Sequence, residues 1–164
     1  LAGTLEEIQM SREVAFDIES DGLLDKITRI WCLSYRFVDQ PEVVYTLTDY
    51  YDIKEFFQIA EKEDYTLICH NMIGYDLPAL KKVLNIEYKG KHVDTLPLSW
   101  YLNHTRKKHG LEGYGEEFGV PKPVIDNWET QTLDDYVHRC QEDTLIQVKT
   151  WLQLKQKLQL LYKE

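Results

Sequence analysis

Cationic charge is in short supply. Nineteen Lys and Arg face 28 Asp and Glu, a net charge of −9, which opposes the general electrostatic grip on nucleic acid that an excess of basic residues provides. Cysteine is sparse too. Cys32, Cys69 and Cys140 each lie inside an apolar segment and none forms a CxxC spacing, so a zinc site and a disulfide framework are both disfavoured. A reduced, intracellular setting is expected instead. No apolar run is long enough to span a bilayer, and no basic-plus-apolar leader is present. There is no glycine-rich loop ending in Lys-Ser or Lys-Thr, which argues against nucleotide triphosphate hydrolysis. Internal repeats and low-complexity linkers are also lacking.

What is there is the material of an ordinary core. Apolar residues make up 43% of the 164 positions, a proportion that suits a folded chain rather than a disordered one. The length predicts one domain over residues 1–164, and the start at Leu1 rather than Met reads as a piece of a longer chain. The pattern predicts strands at 14–20, 28–37 and 42–47, with Asp39-Gln40-Pro41 turning the second into the third. A helix is expected over 51–62, with Ile53, Phe56, Phe57 and Ala60 on one stripe. A short buried strand at 65–69, a helix at 76–84 and a fifth strand at 92–95 follow. Further helices are expected at 96–102, at 111–118 despite Gly113 and Gly115, and from Leu133 to the end. Three strands, then alternating helices and strands, predict an α/β fold whose first three strands form an antiparallel meander.

Four acids stand out against this background. Asp17 and Glu19 are two apart on a strand and share a face. A bound divalent cation would relieve their repulsion, but a solvated strand face is the plainer explanation. Asp76 closes His70-Asn71-Met72-Ile73-Gly74-Tyr75-Asp76, between a strand and a helix, where α/β sheets place binding sites; an acid there also caps a helix. Asp143 falls near the apolar side of the last helix, with Arg139 four positions earlier as a possible surface partner. Oxygen ligands of this kind suit Mg²⁺ or Mn²⁺, and a pair of such ions suits phosphodiester hydrolysis.

In order along the chain, these segments resemble the motifs of the DnaQ-like 3′–5′ exonuclease superfamily. The first is Phe16-Asp17-Ile18-Glu19, the second runs from His70 to Leu80, and the third ends in His138-Arg139-Cys140-Gln141-Glu142-Asp143. With Asp94-Thr95-Leu96 and His109 to Gly115, the chain is most similar to the proofreading exonuclease domains of T-odd-type bacteriophage DNA polymerases. The resemblance implies a ribonuclease H-like fold: a mixed five-stranded sheet with helices on both faces. It implies two Mg²⁺ or Mn²⁺ ions, bridged by Asp17, with Glu19 and Asp143 at one and Asp76 at the other. It also implies hydrolysis at single-stranded or frayed DNA 3′ ends, release of nucleoside 5′-monophosphates, and a role in replication proofreading. A polymerase domain in the same or a separate chain would then be the partner, and the host cytoplasm the location if the chain is phage-encoded. An RNA exonuclease and a polymerase-binding scaffold module stand as alternatives.

The third motif departs from the pattern. The tyrosine branch of the superfamily has Tyr four residues before the last Asp, where this chain has Arg139; another branch has His five before it, matching His138. We assign the general base to His138, because an imidazole accepts a proton near neutral pH and arginine does not. Five residues span about 140° of a regular helix, so His138 and Asp143 converge only if the helix starts near His138 or bends. Leu24 and Tyr75 are expected to border the terminal base, Asn71 to face DNA or support the ions, and Arg106, Lys107 and Lys108 to contact the phosphate backbone.

Overall fold

The computed structural model describes residues 11–163; residues 1–10 and 164, the ends of the expected domain and the Leu1 start among them, lie outside the described residues. Five strands form one mixed sheet: β1 (Glu13–Ser20), β2 (Ile30–Phe37), β3 (Tyr45–Leu47), β4 (Thr66–Cys69) and β5 (Lys91–Asp94). Their spatial order is β3-β2-β1-β4-β5. The β1–β2 and β2–β3 pairs are antiparallel, while β1–β4 and β4–β5 are parallel. This is the ribonuclease H-like sheet, with its first three strands antiparallel as expected. β2 begins two residues later than the sequence predicts, since the Thr28 and Arg29 N–H groups are taken up by the Asp21 carboxylate, and β3 three residues later, since the turn after Val38 takes up more of the chain than its proline alone implies.

The helices are α1 (Tyr50–Lys62), α2 (Leu77–Leu84), α3 (Thr95–Leu102), α4 (Leu111–Phe118) and α5 (Leu133–Leu161). The period of two along β1 divides its side chains between two layers. Val14, Phe16 and Ile18 enter a core with Ile53, Phe57 and Leu80 of α1 and α2. Ala15, Asp17 and Glu19 face the other way, and Ala15 packs with Ile68 and with Val148 and Trp151 of α5. Each fully buried large apolar side chain contributes about 1.5–3 kcal/mol, and the sheet is thereby held from both sides. Among the described residues no helix is long and apolar enough to cross a membrane.

Arg36 of β2 fastens α5 to the sheet. It is buried, and its guanidinium donates to Thr144 Oγ1 at 3.0 Å, the Gln141 carbonyl at 3.1 Å and the Pro41 carbonyl at 2.7 Å. The glycines that interrupt α4 have a packing reason. A Cβ at Gly115 would strike the Val120 carbonyl and Ile146 of α5, so this position lets α4 lie close against α5.

Candidate active site

Asp17 and Glu19 leave β1 on the face covered by α5, and α5 brings Asp143 over them. Carboxylate oxygens of these three residues lie within 4.8 Å of one another. A second group within the same span joins Asp17 to Asp76 and the Cys69 thiol, so Asp17 belongs to both. Asp17, Asp76 and Asp143 are buried. The exposed strand face that would have explained Asp17 and Glu19 is therefore not there.

Asp76 arrives by an unusual route. Met72–Asp76 is one turn of π-helix, and α2 begins only at Leu77. The Asp76 side chain makes no capping hydrogen bond, so the capping explanation fails. This segment is tied down by Asp94 at the end of β5. Its carboxylate accepts from the backbone N–H groups of Asn71 (2.9 Å), Ile73 (3.0 Å) and Leu96 (3.0 Å). Asn71 adopts the left-handed conformation, φ 64°, which Asn tolerates better than most residues. A Cβ at Gly74 would run into the Asn71 carboxamide. We expect Asp94→Ala to release this loop and lower Mg²⁺-dependent turnover about 10- to 100-fold, the scale for losing a group that orients ligands. A raised half-saturating Mg²⁺ concentration with an unchanged circular dichroism spectrum is the accompanying result; normal Mg²⁺ dependence would count against it.

Burial and mutual repulsion set the charge state of the acids. Desolvation first, then Asp143, Asp76 and Glu19, raise Asp17 well above the usual carboxylate range. Burial lifts Asp76 to about 8 and Glu19 to about 7, the latter opposed by Arg139. Burial also raises Asp143 against the pull of Lys122. Two cations temper the cluster: Lys122 Nζ lies 3.0 Å from Asp143 Oδ2, and Arg139 Nε 3.2 Å from Glu19 Oε1. Asp143 Oδ1 is buried with no hydrogen-bond partner among the described residues. Buried acids that raise one another's pKa, one with an orphaned oxygen, fit divalent cations that would offset their repulsion. The Cys69 thiol is pushed up by burial and by Asp76 and Asp17, so it stays neutral beside ions that prefer oxygen.

Several expected residues fall elsewhere. α5 is continuous from Leu133, so His138 turns outward and is exposed; the general-base assignment to His138 is corrected, and Arg139 occupies the cleft instead. Leu24 packs into the α1–α2 core, and its neighbour Leu23 borders the groove beside the acids. Tyr75 lines the cleft, with its hydroxyl engaged by Ser20 and by the Gly22 carbonyl at 2.7 Å. Asn71 lines it as well. Arg106 is taken up by Glu117 and by the Tyr114 ring, 3.8 Å from its centroid, and Lys108 approaches Glu116 at 3.5 Å. Only Lys107 of that trio has no ion pair among the described residues, so the run is not the free basic patch its sequence promises.

The sequence reading missed Lys122 and Gln147. Lys122 stands in Pro121-Lys122-Pro123, and only the prolines on either side hint at a held side chain. Gln147, one helical turn after Asp143, is fully buried and donates to Asp17 Oδ1 at 3.3 Å. An amide on the apolar stripe of α5 was the available signal.

Residues 14–148 match the family model RNase_H_2, RNase_H superfamily. The chain belongs to the RNase H superfamily. None of the curated proteins matches this superfamily member in sequence. Among solved structures it is similar to Brucella melitensis NrnC bound to pGG, with 18% identity, TM-score 0.72, and coverage of 92% of this chain and 75% of that one. NrnC with bound Mg²⁺ gives 18% identity, TM-score 0.70 and the same coverage. The catalytic core of RRP6 from Trypanosoma brucei gives 17%, TM-score 0.64, and 92% of this chain against 42% of that one. None of these structures is a polymerase domain by its description, and one of them holds the dinucleotide pGG. The expected kinship with phage polymerase domains is corrected accordingly, and with it the expected DNA 3′ end, polymerase partner and proofreading role. The divalent-cation requirement stands, in keeping with the Mg²⁺-bound relative.

Proposed function

We propose that this RNase H superfamily member is a divalent-cation-dependent 3′–5′ exonuclease acting on short RNA strands and releasing nucleoside 5′-monophosphates. The observation that carries the reading is the convergence of Asp17, Glu19, Asp76 and Asp143 from three separate segments on one cleft of ≈ 260 Å³. RNA is favoured over DNA by the relatives, one of them captured with pGG. The 3′–5′ direction comes from the motif resemblance.

Asp17, Glu19 and Asp143 would hold one cation, and Asp17 with Asp76 a second. When bound, such ions supply Lewis acidity that activates water and steadies charge on the leaving 3′ oxygen. Lys122, already at the cleft beside Asp143, is placed to neutralise a phosphate oxygen through a charge-assisted hydrogen bond. Arg139 orients Glu19 and remains protonated. Among the described residues, the imidazole that lines the cleft is not free. His70 Nε2 donates to the His109 carbonyl at 2.7 Å, which leaves Nδ1 to accept from Thr95 Oγ1 at 2.8 Å, and burial lowers its basicity. Proton acceptance therefore falls to the carboxylates of the cleft.

The test is release of 5′-mononucleotides from 5′-labelled pGG, a longer RNA and the matching deoxy strands, with Mg²⁺ or with EDTA. Mg²⁺-dependent release from RNA in preference to DNA is expected. Preference for the deoxy strands, or products bearing a 3′-phosphate, would overturn the reading. Binding without hydrolysis of any strand would favour the scaffold alternative.

A further inference from the structure

α5 brings two opposite charges to the cleft one helical turn apart, Arg139 and Asp143. The guanidinium of Arg139 is an incompletely used fork of five N–H donors. Among the described residues its one ion pair is with Glu19, Nε to Oε1 at 3.2 Å, and both side chains are mostly buried. That approach misses hydrogen-bond geometry, so the buried Nε–H has no acceptor among the described residues. The Trp128 ring lies 5.0 Å from the guanidinium carbon, a cation–π contact that fixes no donor direction. Arg139 is thus held at the cleft by charge, with its donors unspent.

Lys122 stands in the same relation to the other flank. Its Nζ lies 3.0 Å from Asp143 Oδ2. Glu19 and Asp143 belong, with Asp17, to one group of ligand atoms, so two of its three carboxylates already face a fixed positive charge. A divalent ion held there is repelled by both cations. Asp17 and Asp76, which meet in the second group, have no ion pair among the described residues. The repulsion at the first group falls once the guanidinium is drawn to an anion. A phosphate oxygen matches its planar fork in charge and geometry.

We propose that Arg139 is a phosphate-binding residue of the cleft, and that its transfer from Glu19 to a phosphate of the bound strand frees Glu19 to hold a cation. Phosphate and cation then reinforce each other, and by linkage each tightens the other by the same factor. The inference deepens the nuclease reading above and rests on it for the phosphate. In the free protein Arg139 keeps Glu19 from standing uncompensated in a buried site. An arginine suits both duties because it stays charged throughout.

The experiment measures Mn²⁺ binding by calorimetry at about pH 8, above the ordinary carboxylate range, with and without guanosine 5′-monophosphate. This probe carries a phosphate and has no phosphodiester to cleave. In the wild type the nucleotide is expected to tighten Mn²⁺ about 5- to 150-fold, the usual span of coupling between sites. Direct contact between ion and phosphate adds to that figure in every variant, so Arg139→Gln decides. It should bind Mn²⁺ alone more tightly, on the order of 10-fold, the scale of one full charge about 5 Å from a divalent ion even at the dielectric constant of water. In saturating Mn²⁺ it should bind the nucleotide about 10-fold more weakly, as for one lost charge-assisted hydrogen bond. Arg139→Lys, which keeps the charge, should restore much of both.

Opposite shifts in the two affinities are the signature, since a merely structural arginine would weaken both when lost. Weaker or unchanged Mn²⁺ binding by Arg139→Gln without nucleotide, or undiminished coupling, would overturn the proposal. None of these readouts needs hydrolysis. If the wild type cleaves no strand and the opposite shifts appear, the phosphate role stands and the nuclease assignment falls. If it cleaves RNA and they are absent, the phosphate role falls alone.

Discussion

Asp17→Asn is expected to lower Mg²⁺-dependent RNA hydrolysis on the order of 10³-fold, the upper scale for removing one preorganised electrostatic group at a reacting centre. The reason is geometric: Asp17 is the one residue common to both groups of ligand atoms, so its loss disables both at once. Metal-free stability should move the other way. Asp17 is buried among Asp143, Asp76 and Glu19, all of which raise its pKa, and a neutral amide of the same shape removes repulsion while keeping an acceptor for Gln147. Single-turnover rates measured beside thermal unfolding in EDTA check both halves. Turnover near that of the wild type would remove Asp17 from the site. A variant that is inactive and also much less stable in EDTA would indicate a structural rather than a catalytic loss.

The second large effect is on stability against pH. Unfolded Asp and Glu ionise near pH 4, whereas in the metal-free native state Glu19 is held up to about 7 and Asp76 to about 8. Between those limits the native state binds more protons than the unfolded chain, so stability falls as pH rises through this range. With about 1.4 kcal/mol for each pKa unit, Glu19 alone accounts for a loss on the order of 3 kcal/mol between about pH 5 and pH 7 in EDTA, and Asp76 adds to it up to about pH 8. Mg²⁺ should reverse it, because the cations replace the protons and bind the native state alone. At 100 times Kd, one such site contributes about 2.7 kcal/mol. Unfolding midpoints across pH in EDTA and in Mg²⁺ give the test. Parallel curves, or EDTA stability that climbs with pH, would show that the acids are ionised without cations.

The sequence by itself determined the sheet and its order along the chain. Period-two patterns in β1 and β2 and period-3.6 patterns in α1 and α5 are local consequences of which side chains must be buried, and they survive without knowledge of neighbours. The spacing of Asp17 and Glu19 settled their common face for the same reason. Tertiary structure decided everything that depends on how distant segments meet. His138 and Arg139 are adjacent in sequence, and only the unbroken run of α5 from Leu133 selects which one turns toward Asp143. Asp76 reads as a helix cap until the π-helical turn, held through Asp94 from another strand, places it beside Asp17. Lys122 lies in an unpatterned loop, and Arg106 looks like a free basic residue until Glu117 and Tyr114 take up its charge. Hydrophobic periodicity reports burial, which is a property of each element alone. Ion pairs and cleft geometry arise between residues far apart in the chain, so they become visible only once the fold has brought those residues together.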